Sequence, residues 1–118
     1  MNQVSVYAGG KLGEYNFGDN HPFGPARHSA FLQRFRQLGL DQQCRLQAPV
    51  VAERQAIERF HTSAYVERVA ELSQTGEGFL DYGDTPAFPG VFEAAARVVG
   101  TVLKAVDDLM QGTTRRAF

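Results

Sequence analysis

The run VFEAAARVVGTVLKAVDDLM, residues 91–110, limits what this chain can fold into more than any other stretch. Phe92, Ala95, Ala96, Val99, Leu103, Val106 and Met110 recur at helical spacing, which predicts one long amphipathic helix. Ala94 to Ala96 with Gly100 give that helix a face of small side chains, suited to close approach by a neighbouring segment. Gly112 ends the run, and TTRRAF follows without completing a further element. A helix of this length needs a broad apolar surface beneath it, and the rest of the chain has to supply one.

The rest offers two strand patterns. VSVY, residues 4–7, alternates and is stopped by Gly9-Gly10, and CRLQAPVV gives a weaker strand over 44–48. Between them Pro25 opens a helix in which Phe31, Leu32, Phe35 and Leu38 share one face, closed by Gly39. Two short helices follow the second strand. Ile57 and Phe60 line the first, and Tyr65, Val66, Val69 and Leu72 the second, with Thr62 or Ser63 as the cap between them. FLDYGDTPAFPG then reads as a loop. The order strand, helix, strand, helices, long helix implies an α/β fold with a short parallel sheet flanked by helices. Two strands alone leave a sheet edge with unpaired backbone groups, so a third strand or a partner is expected.

At 118 residues and 43% hydrophobic, the composition suits a single domain over 1–118 with a modest core. Twelve Lys and Arg against thirteen Asp and Glu leave a net charge of −1, without the footprint of nucleic-acid or anionic-membrane binding. Neither a signal peptide nor a membrane-length apolar run is readable, and the lone Cys44 excludes an internal disulfide framework. A cytoplasmic location is expected.

The chemistry-bearing residues concentrate in YNFGDNHPFGPARHSAFLQRF, residues 15–35, a loop of Asp, His, Arg, Gly and Pro running into a helix, as at the rim of an active site. A zinc centre needs about three converging ligands. His21 and His28 are split by the Pro22–Pro25 break, and His61 lies a strand and a helix away, so no metal site is expected. Cys44 and His61 make no evident nucleophilic pair, no GxSxG elbow occurs, and AGGKLG has the elements of a phosphate loop in the wrong order.

The opening VSVY, the loop and helix GDNHPFGPARHSAFLQRF, the segment FHTSAYVERVAELS and the run DYGDTPAFPGVFEAAARVVGTVLKAVDDLMQG, in that order, resemble the histone deacetylase superfamily. The likeness is to its bacterial members of the acetoin-utilisation and acetylpolyamine-amidohydrolase type, and it covers nearly the whole chain. It implies a partial three-layer arginase/deacetylase-like fold, equivalent to the N-terminal third of such a domain. By resemblance, Asp84 matches an acidic loop residue that holds substrate backbone at the channel mouth. Arg27 matches an arginine behind the active site near an internal channel, and His21-Pro22 a loop feature of the rim.

In the family the strand after the long helix leads to a Gly-Gly-His-His segment, an Asp-x-His pair, a later Asp and a Tyr, which supply zinc ligands, general base and transition-state donor. None of these motifs occurs here. The expectation is therefore a truncated, non-catalytic chain with no cofactor of its own, zinc being the family's. It is expected to self-associate as a homodimer or higher oligomer, through the first strand or through the long helix at Val98, Val99 and Leu103. The other readings are a zinc-dependent deacetylase completed by ligands from elsewhere, and a small-ligand module built on His21, Arg27 and Asp84.

Overall fold

A computed structural model describes residues 3–118. Strand β1 (Ser5–Tyr7) pairs in parallel with β2 (Arg45–Gln47), with Val6 opposite Leu46. Between them run a 3-10 turn, Gly10–Gly13, and helix α1 (Pro25–Gln37), which begins at the proline whose fixed φ suits a first helical turn. After β2 come the short α2 (Arg54–Ile57), then α3 (Ser63–Thr75) and α4 (Val91–Met110). The long helix occupies the span its periodicity predicts.

The other edge of β1 is not left open. The tail over 116–118 lies parallel to it: the Ser5 amide donates to the Arg116 carbonyl (2.9 Å), Phe118 N–H to Ser5 O (2.9 Å), and Tyr7 N–H to Phe118 O (2.8 Å). This corrects the expectation that TTRRAF completes nothing. It also removes β1 as an edge for pairing with a second copy, because its backbone groups are already taken on both sides.

Side-chain alternation on β1 separates two layers. Val6 shares an apolar lining with Phe31 and Phe35 of α1. Ser5 and Tyr7 turn to the α4 side, where the match is polar: Tyr7 Oη donates to Asp108 (2.6 Å), and Ser5 Oγ donates to Thr114 Oγ1 (2.8 Å). Thr114 Oγ1 in turn donates to the Arg116 carbonyl (3.1 Å), so the groups that bury Ser5 also hold the tail in register. Lys104 completes the set as a second partner of the Asp108 carboxylate. Asp108 is only 4% exposed, and the hydrogen bonds from Lys104 and Tyr7 hold its carboxyl below the usual carboxylate range. Burial, reinforced by the hydrogen bond to Asp108, pushes the Tyr7 phenol up to about 12.

The small face of α4 performs the close packing its composition suggests. The 50–52 segment lies directly on it: Ala52 N–H donates to the Ala96 carbonyl (2.9 Å) and Val50 N–H to Thr101 Oγ1 (3.0 Å). A Cβ at Gly100 would sit inside the Val50 carbonyl and the Ala52 nitrogen, both backbone atoms. At the start of α4 no side chain of its own caps the helix. Instead Ser73 of α3 accepts from the Phe92 amide (3.1 Å) and donates to Glu93 (3.1 Å). Thr62 caps α3 through the Tyr65 amide (3.2 Å), and Gly76 closes it in the left-handed region at φ 73°.

Two apolar assignments differ from the periodicity. Phe60 lies beyond α2, in the turn before α3, and is 89% exposed. On α1 only Phe35 is fully buried, while Leu38 is 51% exposed. Both patterns are amphipathic, yet the described residues leave Phe60 almost bare and cover only about half of Leu38.

Candidate functional site: the rim between two loops

The His-rich loop and the loop before α4 meet at one end of the molecule. The second is a compact knot: Phe79 and Pro86 form an antiparallel bridge, and Leu80 N–H donates to Thr85 O (2.8 Å). Asp81 organises its tip. One carboxylate oxygen accepts from the Gly83, Asp84 and Thr85 amides at 2.8–3.1 Å, and the other from the Thr85 hydroxyl. These donors, the Thr85 amide foremost, hold the Asp81 carboxyl below its ordinary range. From α3, Arg68 and Tyr65 anchor the base of the loop by donating to the carbonyls of Phe79 (3.0 Å) and Leu80 (3.3 Å).

His21 ties the first loop to the second. Its Nδ1 accepts from the Phe23 amide (3.1 Å), which places the ring hydrogen on Nε2, and Nε2 donates to the Asp84 carbonyl (3.0 Å). Phe17 packs beside the His21 ring (centroids 4.9 Å apart) and edge-on to Phe88 of the second loop (5.4 Å). Tyr15 stacks on Phe23 at 4.5 Å, and the Arg27 guanidinium lies 5.5 Å from the centre of the Phe23 ring. A shallow cleft of about 500 Å³ opens between the loops, with Asp19, His21, Phe79 and Asp84 in its lining.

The three residues singled out from the sequence are thus unequally placed. His21 and Asp84 are in contact, but through the Asp84 backbone. The Asp84 carboxylate is exposed and, among the described residues, has no hydrogen-bond partner; the turn before Pro86 is held by Asp81 instead. Arg27 borders the neighbouring depression along with His21 and spends its guanidinium on Phe23 rather than on loop carbonyls. Asp81 escaped the sequence reading, although Asp followed two residues later by Gly is the pattern of a side chain capping its own turn.

The donor set does not fit a zinc ion. Among the described residues no three of His, Cys, Asp or Glu converge on one point. His21 is engaged as above, His28 Nε2 is bonded to the Gly9 carbonyl (2.8 Å), and His61 packs between Phe60 and Tyr65.

Comparison with known proteins identifies the family and the fold. The histone deacetylase domain model matches residues 21–118. Histone deacetylase 8 of Xenopus tropicalis is 33% identical over 101 residues, which are 80% of this chain and 27% of that protein. The acetoin utilization protein AcuC of Staphylococcus xylosus is 28% identical over 115 residues, 92% of this chain and 30% of that protein. The crystal structure of the HDA15 HD domain superposes with a TM-score of 0.87 at 21% identity, over 100% of this chain and 35% of that one. The fold is that of a deacetylase domain, and the chain belongs to the histone deacetylase domain family. It spans between 27% and 35% of the length of these relatives. Among the described residues no helix is long and apolar enough to cross a membrane.

Proposed function

We propose that residues 1–118 act as the rim-bearing N-terminal third of a deacetylase domain, cytoplasmic and, as this chain, without hydrolytic activity of its own. The observation that carries this reading is the contrast within the site. The rim loops are tied together by His21 and braced by Asp81, while His21 and His28 are spent on backbone carbonyls and no three metal-ligating side chains converge among the described residues. Incubated with zinc and an acetyl-lysine peptide or an acetylated polyamine, the 118-residue protein is expected to release no acetate above the buffer rate. Turnover with stoichiometric zinc would overturn the reading in favour of a deacetylase.

The same chain is proposed to pair with a second copy through α4. Val98, Val102 and Val106 line a groove of about 460 Å³ with Phe31 and Phe118, beside the tail strand. Fully burying a Val side chain is worth about 1.5–3 kcal/mol, so a helix face of this kind is costly to leave in water. Leu103 flanks the face at 41% exposed, whereas Val99 turns toward α3 and lines a different pocket. Light scattering should give a dimer or larger species that Val102→Glu with Val106→Glu converts to monomer; a wild-type monomer at high micromolar concentration would refute pairing.

A second reading is favoured by the exposed Asp84 carboxylate beside Phe79 in the cleft: the rim binds an acetylated amine without cleaving it. Asp84→Ala should then weaken binding of such an amine and leave the melting temperature unchanged.

A further inference from the structure

Away from the rim and from the α4 groove, α2, α3 and α4 enclose a pocket of about 150 Å³ closed on one side by Leu80. Val66 and Val91, 3% and 4% exposed, form its floor, and Ile57, Val69 and Phe92 stand around it. Ala95, on the exposed side of α4, leaves the mouth open where a larger side chain would close it. The lining offers almost nothing for water to bond, and an apolar void forfeits dispersion contacts on every wall atom. A volume near 150 Å³ admits one compact hydrocarbon ring.

The polar groups of this pocket are at its mouth. Tyr65 is committed, its hydroxyl donating to the Leu80 carbonyl at 3.3 Å. His61 is not: its ring is exposed, lies 5.1 Å from the Tyr65 ring, and among the described residues neither nitrogen has a hydrogen-bond partner. Phe60 stands edge-on to His61 at 4.8 Å, adding an exposed aromatic surface beside the same opening. We propose that this pocket binds a small monocyclic aromatic carrying one hydroxyl, with the ring over Val66 and Val91 and the hydroxyl at His61. Imidazole can accept from or donate to that hydroxyl according to its tautomer, and Phe92 and Tyr65 give the ring aromatic neighbours. The site meets the rim only through Leu80 and its Tyr65 anchor and uses none of His21, Arg27, Asp81 or Asp84, so it stands or falls separately from the function proposed above.

Phenol and benzene serve as probes on the 118-residue protein, read by methyl NMR. Both should shift the Val66 and Val91 methyl signals. His61→Ala should weaken phenol about five- to tenfold, the worth of one hydrogen bond, and leave benzene within about twofold. Ala95→Leu, which fills the mouth from an exposed position, should abolish both sets of shifts while the protein keeps its fold by circular dichroism. Absence of methyl shifts at tens of millimolar phenol, or shifts that survive Ala95→Leu, would overturn the site. Equal weakening of phenol and benzene by His61→Ala would overturn the place given to the hydroxyl, and with it the ligand class.

Discussion

On the side of α4 that meets the 50–52 segment, Ala96 is 2% and Thr101 4% exposed; on the opposite side Val98, Val102, Val106 and Leu109 are 43%, 57%, 47% and 41% exposed. The covered face is made of small residues that let backbone approach backbone, and the open face of larger aliphatic ones. Apolar payload therefore lies where this chain offers no cover, while the covered face relies on fit and hydrogen bonds. A helix apolar on both sides is built to be buried on both sides. The fold of this chain therefore rests on close contacts of high specificity and modest area, so single substitutions there should be far more damaging than at the rim or on the open face.

The largest effect is expected at Gly100. Gly100→Ala drives a methyl into the Val50 and Ala52 backbone and should break the Ala52-to-Ala96 and Val50-to-Thr101 hydrogen bonds. Overpacking and two lost bonds together should cost about 3 kcal/mol or more in urea unfolding. A loss below about 1 kcal/mol would show that the 50–52 segment yields easily.

Next comes the polar layer under β1. Tyr7→Phe leaves Asp108 one donor short and should cost about 1–3 kcal/mol. The pH dependence follows from the directions of the two shifts. Asp108 titrates lower in the folded chain than in the unfolded one, so its contribution is present above the ordinary carboxylate range, near pH 4, and is lost as pH falls through the depressed folded value. Tyr7 is shifted the other way. Its contribution is complete below pH 10 and lost as pH rises through about 12. Unfolding free energies across both ranges should show Tyr7→Phe flattening the alkaline limb and reducing the acid loss. Unchanged limbs would mean that the Tyr7–Asp108 contact contributes little.

A smaller loss, about 1 kcal/mol by thermal melting, is expected for Thr62→Ala, which removes the cap of α3; Thr62→Ser should restore most of it. Smallest of all is Asp84→Ala, which should leave stability within about 0.5 kcal/mol because the carboxylate is exposed and holds nothing. A clear destabilisation there would contradict the assignment of the turn to Asp81.

The same contrast explains what was legible in the sequence. The α4 span, the Pro25 start of α1 and the small face at Ala96 and Gly100 follow from spacing and steric size, which are local properties. Pairing of the tail with β1 was not legible, because it is made by the backbone of Arg116 to Phe118, and RRAF carries no alternation to announce it. Nor was the polar layer, since Tyr7 and Asp108 are far apart in sequence and each reads alone as an ordinary strand or helix residue. At the rim, His21, Arg27 and Asp84 were picked out by resemblance; His21 borders one cleft with Asp84 and a separate one with Arg27. That His21 bonds to the main chain of Asp84, and that Arg27 lies over Phe23, depends on loop conformation that residue identity does not encode. Phe60 misled because spacing reports which face a residue shares, not whether anything covers that face.

In the proposed function this chain carries a deacetylase rim without a metal centre and covers its open α4 face with a second copy. Zinc content and mass in solution, measured on one sample by elemental analysis and size-exclusion light scattering, test it most directly. A zinc-free dimer or higher oligomer is the predicted result. Stoichiometric zinc on a monomer would contradict both halves of the account.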